Sequence, residues 1–213
     1  MHQNKTQWGK VLVLAGLLAG GVQVQASEID FEVGLSDTDT PVLTLIRPSE
    51  VDEPYVLARL AEGEFEGYYM NIEPGWDGLA VARPESNVNA LDETVEVALE
   101  RISFDASFKL YDIDGNEILT SDGDTRVFVG EPETDEFIWH EHLLFGVDPG
   151  SDTSQTYSAT FRFVDSNGVY GDSEPFTLTF KPIEPQSCGG GGCGAIGVAG
   201  MVLTLVGLTR FRR

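Results

Sequence analysis

The chain has 213 residues, with 35 acidic side chains against 13 basic ones and a formal net charge of −22. Such a surface repels phosphate backbones, which argues against nucleic acid as a partner, and it attracts cations. That charge also keeps an exported protein soluble or reflects a salty habitat, so by itself it identifies no ligand.

Residues 1–26 start with Lys5 and Lys10, continue through an uncharged apolar run, 11–22, and end on Val24-Gln25-Ala26. This is the layout of a secretory signal peptide with cleavage after Ala26, its apolar run being too short to span a bilayer. The N-terminal segment is therefore expected to be a signal helix.

Residues 27–184 read as one all-β domain. Apolar residues alternate with polar ones at Phe104, Ala106, Phe108 and Leu110, at Tyr157, Ala159, Phe161 and Phe163, and at Phe176, Leu178 and Phe180. Period-two alternation sends one face of each run inward, as in antiparallel sheets. Further strands are expected at 29–33, 42–46, 68–72, 79–82, 95–102, 117–120, 126–129 and 137–145. Polar turn clusters separate them, among them Asp114-Gly115-Asn116, Asp122-Gly123-Asp124 and Asp165-Ser166-Asn167-Gly168. Many short strands joined by such turns predict an antiparallel β-sandwich, Ig-like or jelly-roll-like.

Residues 185–194 form a Gly/Cys-rich stalk holding both cysteines of the chain, Cys188 and Cys193, around Gly189 and Gly190. The body thus folds without an internal disulfide, while the tail pair could close a small one in an oxidising compartment. Residues 195–213 contain an uncharged stretch of marginal spanning length, closed by Arg210, Arg212 and Arg213. It is read as a transmembrane helix with its arginine end in the cytoplasm.

This order of signature, glycine-rich apolar helix and terminal arginine cluster resembles the bacterial C-terminal sorting signals of the CTERM type. The Gly-Gly run is most similar to the GlyGly-CTERM class, which implies processing by a rhomboid-type or related sorting protease. The two cysteines depart from that class and are similar to cysteine-bearing CTERM variants. A bacterial protein exported to the periplasmic face of the membrane or to the cell surface is implied. A permanent single-span anchor is the open alternative.

Little in the body supports covalent catalysis: it lacks a G-x-S-x-G elbow and has no cysteine. The chain is accordingly read as non-enzymatic. Asp112-Ile113-Asp114-Gly115-Asn116 lacks the EF-hand spacing and fits a hairpin turn. Calcium held by loop carboxylates such as Asp37 and Asp39 is left open.

The stretch IWHEHLLFG carries the body's two histidines, His140 and His142. On one strand, residues two apart share a face, so both imidazoles are expected on one side with Trp139, Glu141 and Leu143 on the other. Two imidazoles so placed can hold a transition metal such as zinc, a carboxylate or water completing the shell. Glu73, which shares a face with Asn71, is the expected third ligand; its alternative role is to cap a turn into Pro74 and Gly75. The run HEHLLFGVDPGSDTSQTYSATFRF is similar to the choice-of-anchor M and zinc-repressor-regulated PEP-CTERM families, and VDSNGVYGDSEPFTLTF is similar to the end of the latter. That resemblance implies an anchored protein connected with metal handling, with His140 and His142 as its ligands. The expected function is a membrane-tethered or surface-sorted protein binding a divalent, zinc-type metal or an extracellular ligand. The alternative is a structural or adhesive surface protein without metal.

Overall fold

A computed structural model describes residues 30–48, 53–92, 95–129 and 134–184. The expected signal helix, stalk and C-terminal helix lie outside the described residues. Among those described, no helix is long and apolar enough to cross a membrane.

The chain forms strands β1 (Asp30–Ser36), β2 (Leu43–Ile46), β3 (Tyr55–Arg59), β4 (Tyr69–Asn71), β5 (Gly75–Leu79), β6 (Val88–Asn89) and β7 (Val97–Phe104). It continues through β8 (Phe108–Tyr111), β9 (Glu117–Ile118), β10 (Thr125–Val127), β11 (Phe137–Glu141), β12 (Leu144–Val147), β13 (Tyr157–Asp165) and β14 (Phe176–Ile183). One sheet has the order β11-β5-β1-β2, with β6 also paired to β1; the other runs β10-β7-β13-β14-β3-β4-β12-β8-β9.

The all-β reading holds, but the sheets are mixed rather than antiparallel. Strand β5 runs parallel to β1, and β14 parallel to β3. The cause is the route of the chain: after β2 it crosses to the second sheet for β3 and β4, then returns to the first and docks on the free side of β1. A strand that comes back through the opposite layer is not bound by the reversal that a hairpin imposes.

Strict alternation survives where it was expected. In β13, Tyr157, Ala159, Phe161 and Phe163 are buried while the residues between them are half-exposed. Those rings and Phe176, Leu178 and Phe180 of β14 meet Phe31, Val33 and Trp76 of the first sheet in one core. The run from Phe104 to Leu110, in contrast, is two strands. Ser107 takes φ 72°, a left-handed turn that ends β7 at Phe104 and restarts the chain as β8.

The expected single strand at 137–145 is also divided, and the division positions the site. Strand β11 lies in the first sheet against β5, whereas β12 lies in the second against β4 and β8. Their partners β4 and β5 are likewise consecutive in the chain and lie in different sheets. Together they make a two-stranded ribbon that bends from one layer into the other, with His142-Leu143 on one side of the corner and Ile72-Glu73-Pro74 on the other. Leu143 is fully buried and holds the bend in the core.

Candidate metal centre

Strand β1 sends Phe31 and Val33 into the core, so Asp30 and Glu32 project from the outer face. The parallel register places Asp30 beside Gly75 and Glu32 beside Asp77. On the other flank of β5, His140 of β11 stands opposite Asp77. The outer face therefore carries Asp30, Asp77 and His140 in adjacent strands, over the inward rings of Trp76 and Trp139.

His142 joins them from the corner. Its ring centroid lies 4.8 Å from that of His140, at 74°. Donor atoms of Asp30, His140 and His142 all fall within 4.8 Å of one another, and each of the three residues is partly buried. The two histidines meet as expected, but not by alternation along one strand, since β11 ends at Glu141 and His142 belongs to the bend. Trp139, Glu141 and Leu143 do point elsewhere. Trp139 and Leu143 enter the core, and the Glu141 carboxylate accepts from the Arg126 guanidinium, whose Nε lies 3.2 Å away.

Each imidazole is oriented through Nδ1. That of His140 lies 2.9 Å from Asp77 Oδ1, and that of His142 lies 3.1 Å from the Ile72 carbonyl oxygen. A carbonyl and a carboxylate only accept, so both Nδ1 atoms donate, and each neutral ring then carries its lone pair on Nε2. Metal-bound histidines are commonly held this way, the non-ligating N–H given to a carboxylate or a backbone carbonyl. His142 Nε2 faces Asp30 Oδ1 at 3.9 Å, too far for a hydrogen bond. A lone pair beside a carboxylate at that distance leaves room for a cation between them. Tetrahedral ligands at roughly 2.0–2.2 Å from zinc stand about 3.3–3.6 Å apart, so side-chain rotations can close the triad.

Gly75 makes this convergence possible. A Cβ there would lie 2.1 Å from Asp30 Oδ1 and 2.6 Å from His142 Cε1, so any side chain would push both groups out. Gly78 has a parallel use on the inner face, where a Cβ would meet the Trp139 ring at 2.4 Å.

Glu73, the expected third ligand, does not belong to the converging triad; Asp30 takes that place. The reason is the turn: Asn71 is buried, donates from Nδ2 to the Val56 carbonyl at 3.1 Å and accepts the Glu73 amide at 3.0 Å. Asn71 thus organises the return of the chain from the second sheet to the first rather than sharing an open face with Glu73. Around Asp112, the carboxylate accepts from the amides of Asp114 and Asn116 inside the β8–β9 hairpin, as the turn reading expects. Asp37 Oδ1 accepts from Asn89. Among the described residues, no second group of three or more His, Cys, Asp or Glu converges.

Sequence reasoning missed Asp30, Asp77 and Gly75. The first could have been read from alternation in Asp30-Phe31-Glu32-Val33. The other two sit in GWDGL, where the glycines resemble a turn. Compared with family models, curated proteins and solved structures, the chain matches none.

Proposed function

We propose that the chain is an exported, non-enzymatic β-sandwich protein, tethered to the membrane or sorted to the bacterial surface, which binds a divalent metal of the zinc type through Asp30, His140 and His142. The observation that carries the metal reading is the orientation of both imidazoles: each Nδ1 is held by an acceptor, which leaves the lone pair of each neutral ring on Nε2, and that of His142 lies 3.9 Å from Asp30 Oδ1. In this reading Asp77 and the Ile72 carbonyl fix the ligating tautomers, and Gly75 keeps the centre open. Calcium, a harder ion preferring six or more oxygens, suits this donor set less well than zinc. The signal peptide, the Gly-Gly and cysteine motif and the terminal arginines support export, a rhomboid-type or related sorting protease, and contact with the membrane. An Ig-like or jelly-roll-like form of the sandwich is part of the same proposal and rests on the strand pattern alone.

Zinc titration calorimetry on the purified chain tests the metal reading. One equivalent is expected to bind, and replacing both histidines with alanine is expected to weaken binding at least ~100-fold. Gly75→Ala leaves all three ligands in the sequence yet displaces two of them, and is expected to weaken binding by roughly 10-fold or more. Affinity is expected to fall on acidification, because protons compete for imidazole nitrogen. Identical isotherms for all three proteins would favour the second reading, a structural or adhesive surface protein. The His142–Ile72 hydrogen bond supports that alternative, since it ties the corner of the ribbon with or without an ion.

Export is tested separately. Alkaline phosphatase fused after Pro185 is expected to be active in a bacterial host, which places the body outside the cytoplasm. An inactive fusion made at normal levels rejects that placement.

A further inference from the structure

We infer that the triad is an open site whose remaining coordination position takes a neutral nitrogen donor of the imidazole class in preference to an anion. The inference rests on the metal reading above and adds to it the class of ligand.

Ligand count comes first. A structural zinc site is closed by four protein ligands, whereas sites with three leave a position for water or an incoming group. Among the described residues, no fourth His, Cys, Asp or Glu joins Asp30, His140 and His142. The centre also lies on the outer face of a sheet, and the three side chains keep 11 to 19% exposure. An ion held there is within reach of a second molecule.

Charge then selects the donor. The two positive charges of a zinc ion are already matched by the carboxylates of Asp30, in the triad, and Asp77, on His140. Nearby Glu32 is matched by Arg83, 2.9 Å away. An anionic fourth ligand would bring excess negative charge into a chain whose net charge is −22, and the field opposes it. A neutral donor meets no such opposition, and imidazole binds zinc-type ions better than water does. The body of a second copy does not supply it, because the histidines there are His140 and His142, both already ligands.

Cobalt(II) makes the site visible. The purified chain loaded with one equivalent of Co2+ is titrated with imidazole and, in parallel, with azide, and the visible d–d absorption is followed. The His140→Ala/His142→Ala double variant, which should show no such absorption, is the control. Imidazole is expected to shift the bands with half-saturation at a concentration ~10-fold or more below that for azide. Azide binding as tightly as imidazole, or bands that neither donor moves, would overturn the inference while leaving the metal site in place. Absence of bound-cobalt absorption in the unaltered chain would reject the metal site itself, and the inference with it.

Discussion

Trp76→Ala is expected to lower the unfolding free energy by about 4 to 5 kcal/mol, at the upper end of large-to-small core substitutions. The side chain is fully buried. It packs edge-on against Phe31 at 5.5 Å and Phe163 at 5.7 Å, and at a tilt against Phe176 at 5.8 Å and Phe128 at 6.3 Å. Phe31 belongs to the first sheet and Phe163 and Phe176 to the second, so the indole touches both layers. Removing it forfeits transfer energy and leaves a cavity that two sheets cannot fill from one side. Since a domain of this size has about 5 to 15 kcal/mol in hand, the variant is expected at the margin of folding. Urea denaturation followed by circular dichroism measures the loss. A cost below about 1 kcal/mol would mean that the ring does not join the layers. Because Gly75 and Asp77 flank Trp76, the same substitution is expected to weaken zinc binding, whereas a cavity elsewhere in the core would not.

The second large effect concerns the turn after β13. The Asp165 carboxylate, buried at the strand end, accepts from the amides of Asn167 at 3.0 Å, Val169 at 2.8 Å and Tyr170 at 3.1 Å. Burial by itself raises its pKa, but together these amides outweigh burial and hold the carboxyl below its usual value. A group with a depressed folded pKa adds stability above its unfolded value, about 3.9 for aspartate, and that stability is lost as the pH falls through the folded value. Asp165→Asn places an amide NH2 where one carboxylate oxygen accepted. It is expected to cost about 1.5 to 3 kcal/mol at neutral pH, the range for hydrogen bonds to a charged group. Below about pH 4 the difference should shrink, because the unfolded chain then takes up a proton that the folded carboxylate still excludes. Denaturation midpoints of both proteins from pH 7 to pH 3 check this. A constant difference across that range would show that the charge is not what holds the turn.

What the sequence made legible follows one physical rule: a strand with one wet face announces itself. Strands β13 and β14 alternate cleanly and lie where expected. Strand β5 is buried on both faces and built from Gly75-Trp76-Asp77-Gly78-Leu79, so it has neither alternation nor β-branched residues to mark it. Its glycines are there for close approach, the inner one to the Trp139 ring and the outer one to Asp30 and His142. Strand β3 was hidden for another reason. It follows Pro54, and its Val56 is exposed while Tyr55 and Leu57 are buried, so its short pattern reads as a loop. The histidine pair was visible because imidazole is rare in this chain, and its second sheet was not, because a bend between layers leaves the hydrophobic run unbroken. Asp30 lies over a hundred residues from His140, and only the parallel register of β1 and β5 brings them together; no local spacing encodes that.

The placement of β14 decides how the body bears load. This last strand of the described residues is internal, flanked by β13 and, in parallel, by β3. Tension on the chain beyond Ile183 that is directed along the strand would stress the ladders on both flanks simultaneously. An edge strand pulled sideways gives up its hydrogen bonds one after another, as a zipper opens; an internal strand drawn lengthwise yields only when many break together. Phe176, Leu178 and Phe180 would also have to be dragged through the core. The body is thus built to resist being peeled from the end of β14.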